Sequence, residues 1–338
     1  MPELLLISAV ACAVMTAALV GMLRPPRAVA TIVRCLVVVA VASAVVVAVG
    51  AFTGAESVSF LLASAFATAP VAVLLDGAAE EAAPGRLAVA WVLALVWAAV
   101  VFPVAALAPP LVFASCGSEC RVEDFGGGLA LLVSSAASVL LAWRAPASGG
   151  REGWRGFALG ALVVWLAAAL WLASLEGVVD DYTPRILFAA VVAPAGGAAG
   201  WLLVDVLTRS TRHPVRSAAD GLIAGLVAIV PGAAGMSFPW SLAVGALAGA
   251  AACLVYGSRR LSSGGRAGHW ALVVLTSTAI GYLAPAVSGD TVGFVFSGRI
   301  TALFPPVAAF AAVAALGLAA SVPAWLLARR SRRVRIAD

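Results

Sequence analysis

Charge is what this chain has least of. Asp, Glu, Lys and Arg make up 11% of its 338 residues, while hydrophobic residues make up 63%. A soluble domain of this size needs far more charge to cover its surface. The mean hydropathy is +1.07, and no polar interval is long enough to build a soluble core. Lysine is absent, so all 21 basic residues are arginine; we read no function into that bias. Histidine occurs only at His213 and His269. The sequence has no Gly-Lys-Ser/Thr nucleotide loop, no paired carboxylates in mid-membrane, no metal-ligand spacing and no Ser/His/Asp set. We therefore expect no enzyme activity, no metal and no cofactor. The pI near 9.3 comes from loop arginines and does not point to nucleic acid. No cleavable signal is expected, because the first apolar segment lacks a basic stretch before it and runs straight into a second.

Five cysteines are present. Cys12, Cys35 and Cys253 lie in or beside apolar segments and read as packing residues. Cys116 and Cys120 share one polar loop with no histidine near them. A local disulfide is open to them if that loop faces an oxidising compartment.

What is abundant is long apolar segments. A spanning helix needs about 20 apolar residues. Candidate spans fall at 4–22, 29–50, 57–75, 87–108, 126–143, 156–174, 186–207, 218–233, 239–256, 268–287 and 301–327. The expected fold is an all-α polytopic membrane protein of about eleven helices, arranged as two inverted five-helix halves plus a C-terminal helix. Arginine sets the orientation. Alternate loops, the start of the second span (Arg34) and the tail hold 18 arginines, against Arg121, Arg185 and Arg299 on the opposite side. The arginine-rich side reads as cytoplasmic. That places the N-terminus outside and the C-terminus inside, which requires an odd number of spans.

Two stretches are unusually specific. In 200–252, Gly221 and Gly225 form one small-xxx-small pair, and Gly245 and Gly249 another. The pairs are expected to face each other across a Pro- and Gly-rich turn, because glycine lets helix backbones approach closely in lipid. Further upstream, Asp124-Phe125-Gly126-Gly127-Gly128 stands at the start of the fifth span. A carboxylate there suits the helix N-terminus and accepts its orphan N–H groups. It reads as a helix cap or as the scaffold of a cation vestibule.

These stretches carry a resemblance. VEDFGGGLALLVSS resembles the Asp-Phe-Ala-Gly-Gly signature of the ammonium transporter and Rhesus protein family. Gly221–Pro231, GLIAGLVAIVP, is similar to that family's Gly-Ala-x-Ala-Gly-Leu-Val-x-x-Thr-Pro segment, and Gly77–Glu81 to its Gly-Ala-x-Ala-Glu loop after the third span. The Trp201–Asp205 helix end, the basic loop after it and GALAGAAACLV at 245–255 follow in the same order.

The resemblance implies a homotrimer in the plasma membrane, each protomer with a narrow apolar pore. An outer vestibule recruits ammonium, stacked aromatics gate the entrance, and two histidines line the pore. An ammonium ion losing its water favours cation–π contact, and imidazole suits proton handling at neutral pH. Carried onto this sequence, Phe66 falls on one gate position and Trp171 near the other; Phe113 replaces the vestibule tryptophan. Both gate assignments rest on the resemblance, since an aromatic in a membrane helix usually packs in the core or faces lipid. The vestibule serine position holds Leu175. The first pore histidine position holds Leu132, and the second falls on His269; with Arg266 three residues before it, His269 reads either as a pore residue or as an interfacial one near the cytoplasmic side. His213 reads as a solvated loop residue. Asp205 and Asp220 read as partners of Arg209, Arg212 or Arg216.

The expectation is a channel or transporter for ammonium, ammonia or a similar small solute, lacking the full two-histidine pore. Residues 1–328 form its transmembrane domain and 329–338 a short basic cytoplasmic tail. That tail is shorter than the family's regulatory one, which puts control by a signalling protein in doubt. Two alternatives stay open: a non-transporting relative acting as a sensor or structural subunit, and an unrelated small-solute permease.

Overall fold

The computed structural model describes residues 2–23, 28–53, 58–82, 87–114, 122–140, 154–258, 266–289 and 293–337. Every regular element among the described residues is helical. That is what hydrocarbon demands of an open chain, since a helix satisfies its own backbone groups. The first half comprises α1 (Pro2–Leu23), α2 (Ala28–Thr53), α3 (Val58–Phe66), α4 (Thr68–Ala82), α5 (Leu87–Val96), α6 (Phe102–Ala114) and α7 (Ser134–Leu140). The second comprises α8 (Trp154–Ser174), α9 (Thr183–Leu207), α10 (Pro214–Ile229), α11 (Phe238–Gly257) and α12 (Arg266–Ser288). A short α13 (Phe294–Ser297) leads to the long α14 (Phe304–Ala337).

Among the described residues, ten helices are long and apolar enough to cross a membrane, and a shorter apolar helix runs over Gly128–Leu140. Their order matches the eleven segments read from the sequence. The two sets of five meet like with like. α1 packs on α8, the first span of each set, and α7 packs on α12, the last of each. The final helix α14 lies against α5 and α7.

Four features differ from the sequence reading. The third segment is not one helix: it breaks at Ala67 between α3 and α4. α4 then continues to Ala82, so Gly77–Glu81 is helical and not a loop. α6 runs through Pro109 and Pro110 to Ala114, which makes the Phe113 position helical too. At the far end, α14 continues through the basic tail to Ala337.

The glycine pairs also pack differently from expectation. Both pairs are turned onto α9, which lies between α10 and α11 at their closest approach. A Cβ on Gly225 or Gly245 would fall onto the Ala193 carbonyl, and one on Gly221 or Gly249 onto the Gly197 carbonyl. The same two carbonyls of α9 are thus gripped from both sides. Dispersion falls off steeply with separation, so this backbone contact explains why glycine occupies all four positions.

Three buried carboxylates in the helices are each paired with an arginine. Arg34 on α2 meets Asp76 on α4 at 2.5 Å. The Thr31 hydroxyl donates to the same carboxylate, and the Arg34 guanidinium lies 5.8 Å from the Trp91 ring centre. Arg212 meets Asp205 at 2.7 Å and Arg216 meets Asp220 at 3.3 Å, as the loop arginines suggested. Arg212 also lies over the rings of Trp201 and Tyr256. Cys12, Cys35 and Cys253 are buried and free, consistent with packing; Cys116 and Cys120 lie outside the described residues.

Candidate functional site

The glycine-rich stretch at Asp124 forms a cap and a clamp. The Asp124 carboxylate accepts the N–H of Gly128 at 2.5 Å and that of Leu129 at 2.9 Å. These are orphan donors of the helix that starts at Gly128. Gly127 takes φ +67° to make the turn, a conformation glycine adopts without steric cost. The Phe125 N–H then donates to the Pro231 carbonyl at 2.9 Å, and the Gly126 N–H to the Val230 carbonyl at 3.0 Å. A Cβ on Gly126 or Gly128 would strike Val230 or Pro231. The two motifs that were separate in the sequence are therefore one structural joint. Burial pushes the Asp124 carboxyl up to about 7, while its two N–H bonds pull the other way.

Just beyond this joint the backbone departs from α geometry. Residues Gly128–Val133 form a π-helical turn, and Leu132 lies inside it. A second π turn spans Trp97–Val101. Pro103 follows it, and a proline has no N–H to complete an α-helical ladder. The two turns are tied together, because the Trp97 indole N–H donates to the Ser134 hydroxyl at 2.9 Å. Single π turns are rare and concentrate at functional sites.

The break in the third span lies nearby. Phe66 ends α3; Ala67 turns back to the Ser64 carbonyl at 3.1 Å, and the Thr68 hydroxyl donates to the Ala65 carbonyl at 2.6 Å. The Trp171 indole N–H donates to the Ala63 carbonyl at 3.3 Å. α8 is thereby pinned to the last turn of α3, three residues before Phe66. Two hydroxyls in this region, Ser64 Oγ and Tyr282 Oη, are buried without a hydrogen-bond partner in the protein. Leaving such a group unpaired costs about 1–3 kcal/mol.

This arrangement has close structural counterparts. Over 95% of the chain it superposes on Mep2 of Candida albicans, covering 83% of that protein with a TM-score of 0.76 at 18% identity. Over 97% it superposes on Rh50 of Nitrosomonas europaea, covering 88% of it with a TM-score of 0.70 at 15% identity. The fold is that of the ammonium transporter and Rhesus protein family. In sequence, the chain is 28% identical over 150 residues to proteins named ammonium transporter from Mycobacterium bovis and Mycobacterium tuberculosis. That match takes in 41% of this chain and 31% of each relative, so the chain spans about a third of the length of the curated relatives it matches. No protein-family model matches it.

Within this fold the residues picked from the sequence divide into three groups. Phe66, Asp124, Leu132 and Trp171 are described with their surroundings. Phe66 is half-buried at the break, Trp171 is buried beside it, and Leu132 is half-buried against the core. Phe113 and His269 are placed by backbone only: Phe113 in the last turn of α6, His269 in the first turn of α12. Their side chains lie outside the described residues. Leu175 is buried, and its neighbour Ser174 turns its hydroxyl onto the Trp171 carbonyl at 2.7 Å. His213 is exposed and stacks on Trp154 at 4.2 Å between ring centres.

Sequence reasoning missed Ser64, Tyr282 and the Arg34–Asp76 pair. A signal existed for each, since polar groups in apolar spans are few and need partners.

Proposed function

We propose that the chain is a plasma-membrane channel or transporter for ammonia or a comparable small solute, built as a homotrimer with the N-terminus outside. The observation that carries this reading is the interruption of the third span at Phe66, with Trp171 pinned beside it. Two aromatic groups at a helix break make a gate whose backbone is already free of the α ladder. Asp124 orders the outer vestibule through its two N–H bonds and the clamp to Val230 and Pro231. Phe113, at the end of α6, supplies the vestibule aromatic. His269 is the one pore imidazole.

Leu132 has no proton to exchange and stands where the resemblance expects the first pore histidine. A two-histidine relay is therefore not available, and transport is of the neutral species. The test is uptake of labelled methylammonium in a strain lacking its own ammonium transporters, measured together with current. Uptake without current is the expected result, changed in rate by Phe66→Ala. An ammonium current abolished by His269→Ala and untouched by Phe66→Ala would overturn these roles.

The same Leu132 favours a second reading, a relative that kept the scaffold and lost conduction. No uptake by a correctly folded, membrane-inserted protein is the outcome that selects it.

A further inference from the structure

The turn that carries the chain from α12 into α14 is apolar for a loop. Residues 293–304 include Phe294, Val295, Phe296, Ile300 and Phe304, against one charged residue, Arg299. The alternation of spans puts the loop between α8 and α9 at the same end of the bundle, and that loop has three carboxylates within residues 176–182. A loop that faces water carries charge of that kind; 293–304 does not. The bundle does not take up its apolar side chains either. α13 has no buried residue, and Phe296 is 57% exposed, Ile300 71% and Phe304 80%.

The backbone of this turn is nonetheless bonded within itself. The N–H groups of Phe296 and Ser297 donate to the Gly293 carbonyl at 3.0 and 2.9 Å, and that of Gly298 to the Phe294 carbonyl at 2.8 Å. Gly298 closes the turn at φ +66°. Polar groups satisfied in this way can leave water, and the exposed side chains favour leaving it. What covers the patch follows from where it leads. Phe304 opens the last span, whose apolar part is Phe304–Leu327, and Val307, about one turn on, is 52% exposed. The patch is thus continuous with the lipid-facing surface of α14. It begins after α12 has ended at Ser288, so it lies at the level of the bilayer surface and not within a span.

We propose that residues 293–304 form an interfacial anchor, seated in the boundary between phospholipid headgroups and acyl chains with Phe294, Phe296, Ile300 and Phe304 as its apolar contacts. The partner is a phospholipid surface, and no headgroup charge is required of it. An anchor of this kind buries its apolar side about 5–10 Å into that boundary. It holds the entry of α14 at one depth, at the end opposite to the arginine tail. The inference needs the membrane fold alone and holds whether or not the protein conducts.

The test places a spin label at one position at a time in the full-length protein, reconstituted in phosphatidylcholine liposomes. Phe296→Cys and Ile300→Cys report the patch. Asp181→Cys, on the exposed loop after α8, is the water reference, and Leu318→Cys, half-exposed on α14, is the lipid reference. Cys116→Ser and Cys120→Ser are made throughout, while Cys12, Cys35 and Cys253 are buried and stay in place. Collision with oxygen, which concentrates in lipid, and with a water-soluble nickel chelate gives the depth of each label. Both patch labels are expected to meet oxygen more often than nickel, at a depth of about 5–10 Å, between the two references. The proposal is overturned if they meet nickel as the Asp181 label does, which would put the turn in water. It is also overturned if they are shielded from both reagents, which would mean that a second copy or another segment of the chain covers the patch. Ile300→Cys decides alone if Phe296→Cys does not fold.

Discussion

Two regions of the molecule are built differently. In α9–α11, backbone meets backbone through glycine, and every carboxylate described there has its arginine. Around α3, α6 and α7, one helix is broken, two turns are π-helical and two buried hydroxyls are unpartnered. Both regions bury polar atoms without a partner, among them Trp201 Nε1 and Ser217 Oγ in the first; the helix break and the π turns belong to the second alone. Strain and unpaired polar groups persist where the surroundings hold them in place.

Four substitutions press on that contrast, beginning with the largest effect. Gly245→Val places a branched side chain on the Ala193 carbonyl and is expected to cost about 3 kcal/mol, the upper range for overpacking, or more. Thermal unfolding in detergent should show little folded protein, whereas Gly21→Ala, which meets open space, should unfold like the parent. Equal tolerance at both glycines would dissolve the contrast.

Arg34→Met strips Asp76 of its partner. Breaking a buried pair costs roughly 3–5 kcal/mol, while replacing both members with apolar residues is often neutral. The single variant should therefore be much less stable than the parent, and Arg34→Met with Asp76→Leu should recover most of the loss. A double variant as unstable as the single would mean that the pair itself holds α2 to α4.

Trp97→Phe removes the indole bond to Ser134 that joins the two π turns. The stability change should be about 1 kcal/mol, typical of one hydrogen bond, with a larger proportional change in methylammonium uptake. Pro103→Ala comes last. Restoring an N–H after the π turn at Trp97–Val101 should leave stability within about 1 kcal/mol of the parent or raise it, and uptake should fall. Unchanged uptake in both variants would show that the π turns serve packing only.

The contrast also explains what could be read in the sequence. Eleven apolar segments were legible because hydrocarbon thickness imposes a length on each. The glycine spacing was legible too, but its partner was not: four-residue spacing marks a small face without naming the helix that fills it, and α9 filled both. The Asp124 stretch could be recognised as a cap, yet its bond to Pro231 joins residues about a hundred positions apart. The break at Ala67 did leave a mark, one that the apolar run concealed: Pro70 has no N–H to offer the Phe66 carbonyl four residues earlier, and its ring crowds that carbonyl. Two carbonyls near the break then find other donors: the Thr68 hydroxyl bonds that of Ala65 locally, and the Trp171 indole bonds that of Ala63 from another helix. Charge pairs divided the same way. Arg212 and Arg216 lie within a few positions of their partners, whereas Arg34 and Asp76 belong to different helices.

The last helix has a mechanical side. At about 1.5 Å per residue, the 34 residues of α14 measure about 51 Å, against a hydrocarbon layer of about 30 Å. Its apolar part, Phe304–Leu327, takes about 36 Å of that, and the last ten residues, with five arginines, add about 15 Å. Deep in the bundle the same rod is fastened to the fifth span: the Ser138 hydroxyl donates to the Gly317 carbonyl at 3.0 Å, and a Cβ on Gly317 would meet the Ser134 carbonyl. The tail is short as a sequence but long as a lever, and its inner arm bears on the turn that carries Leu132.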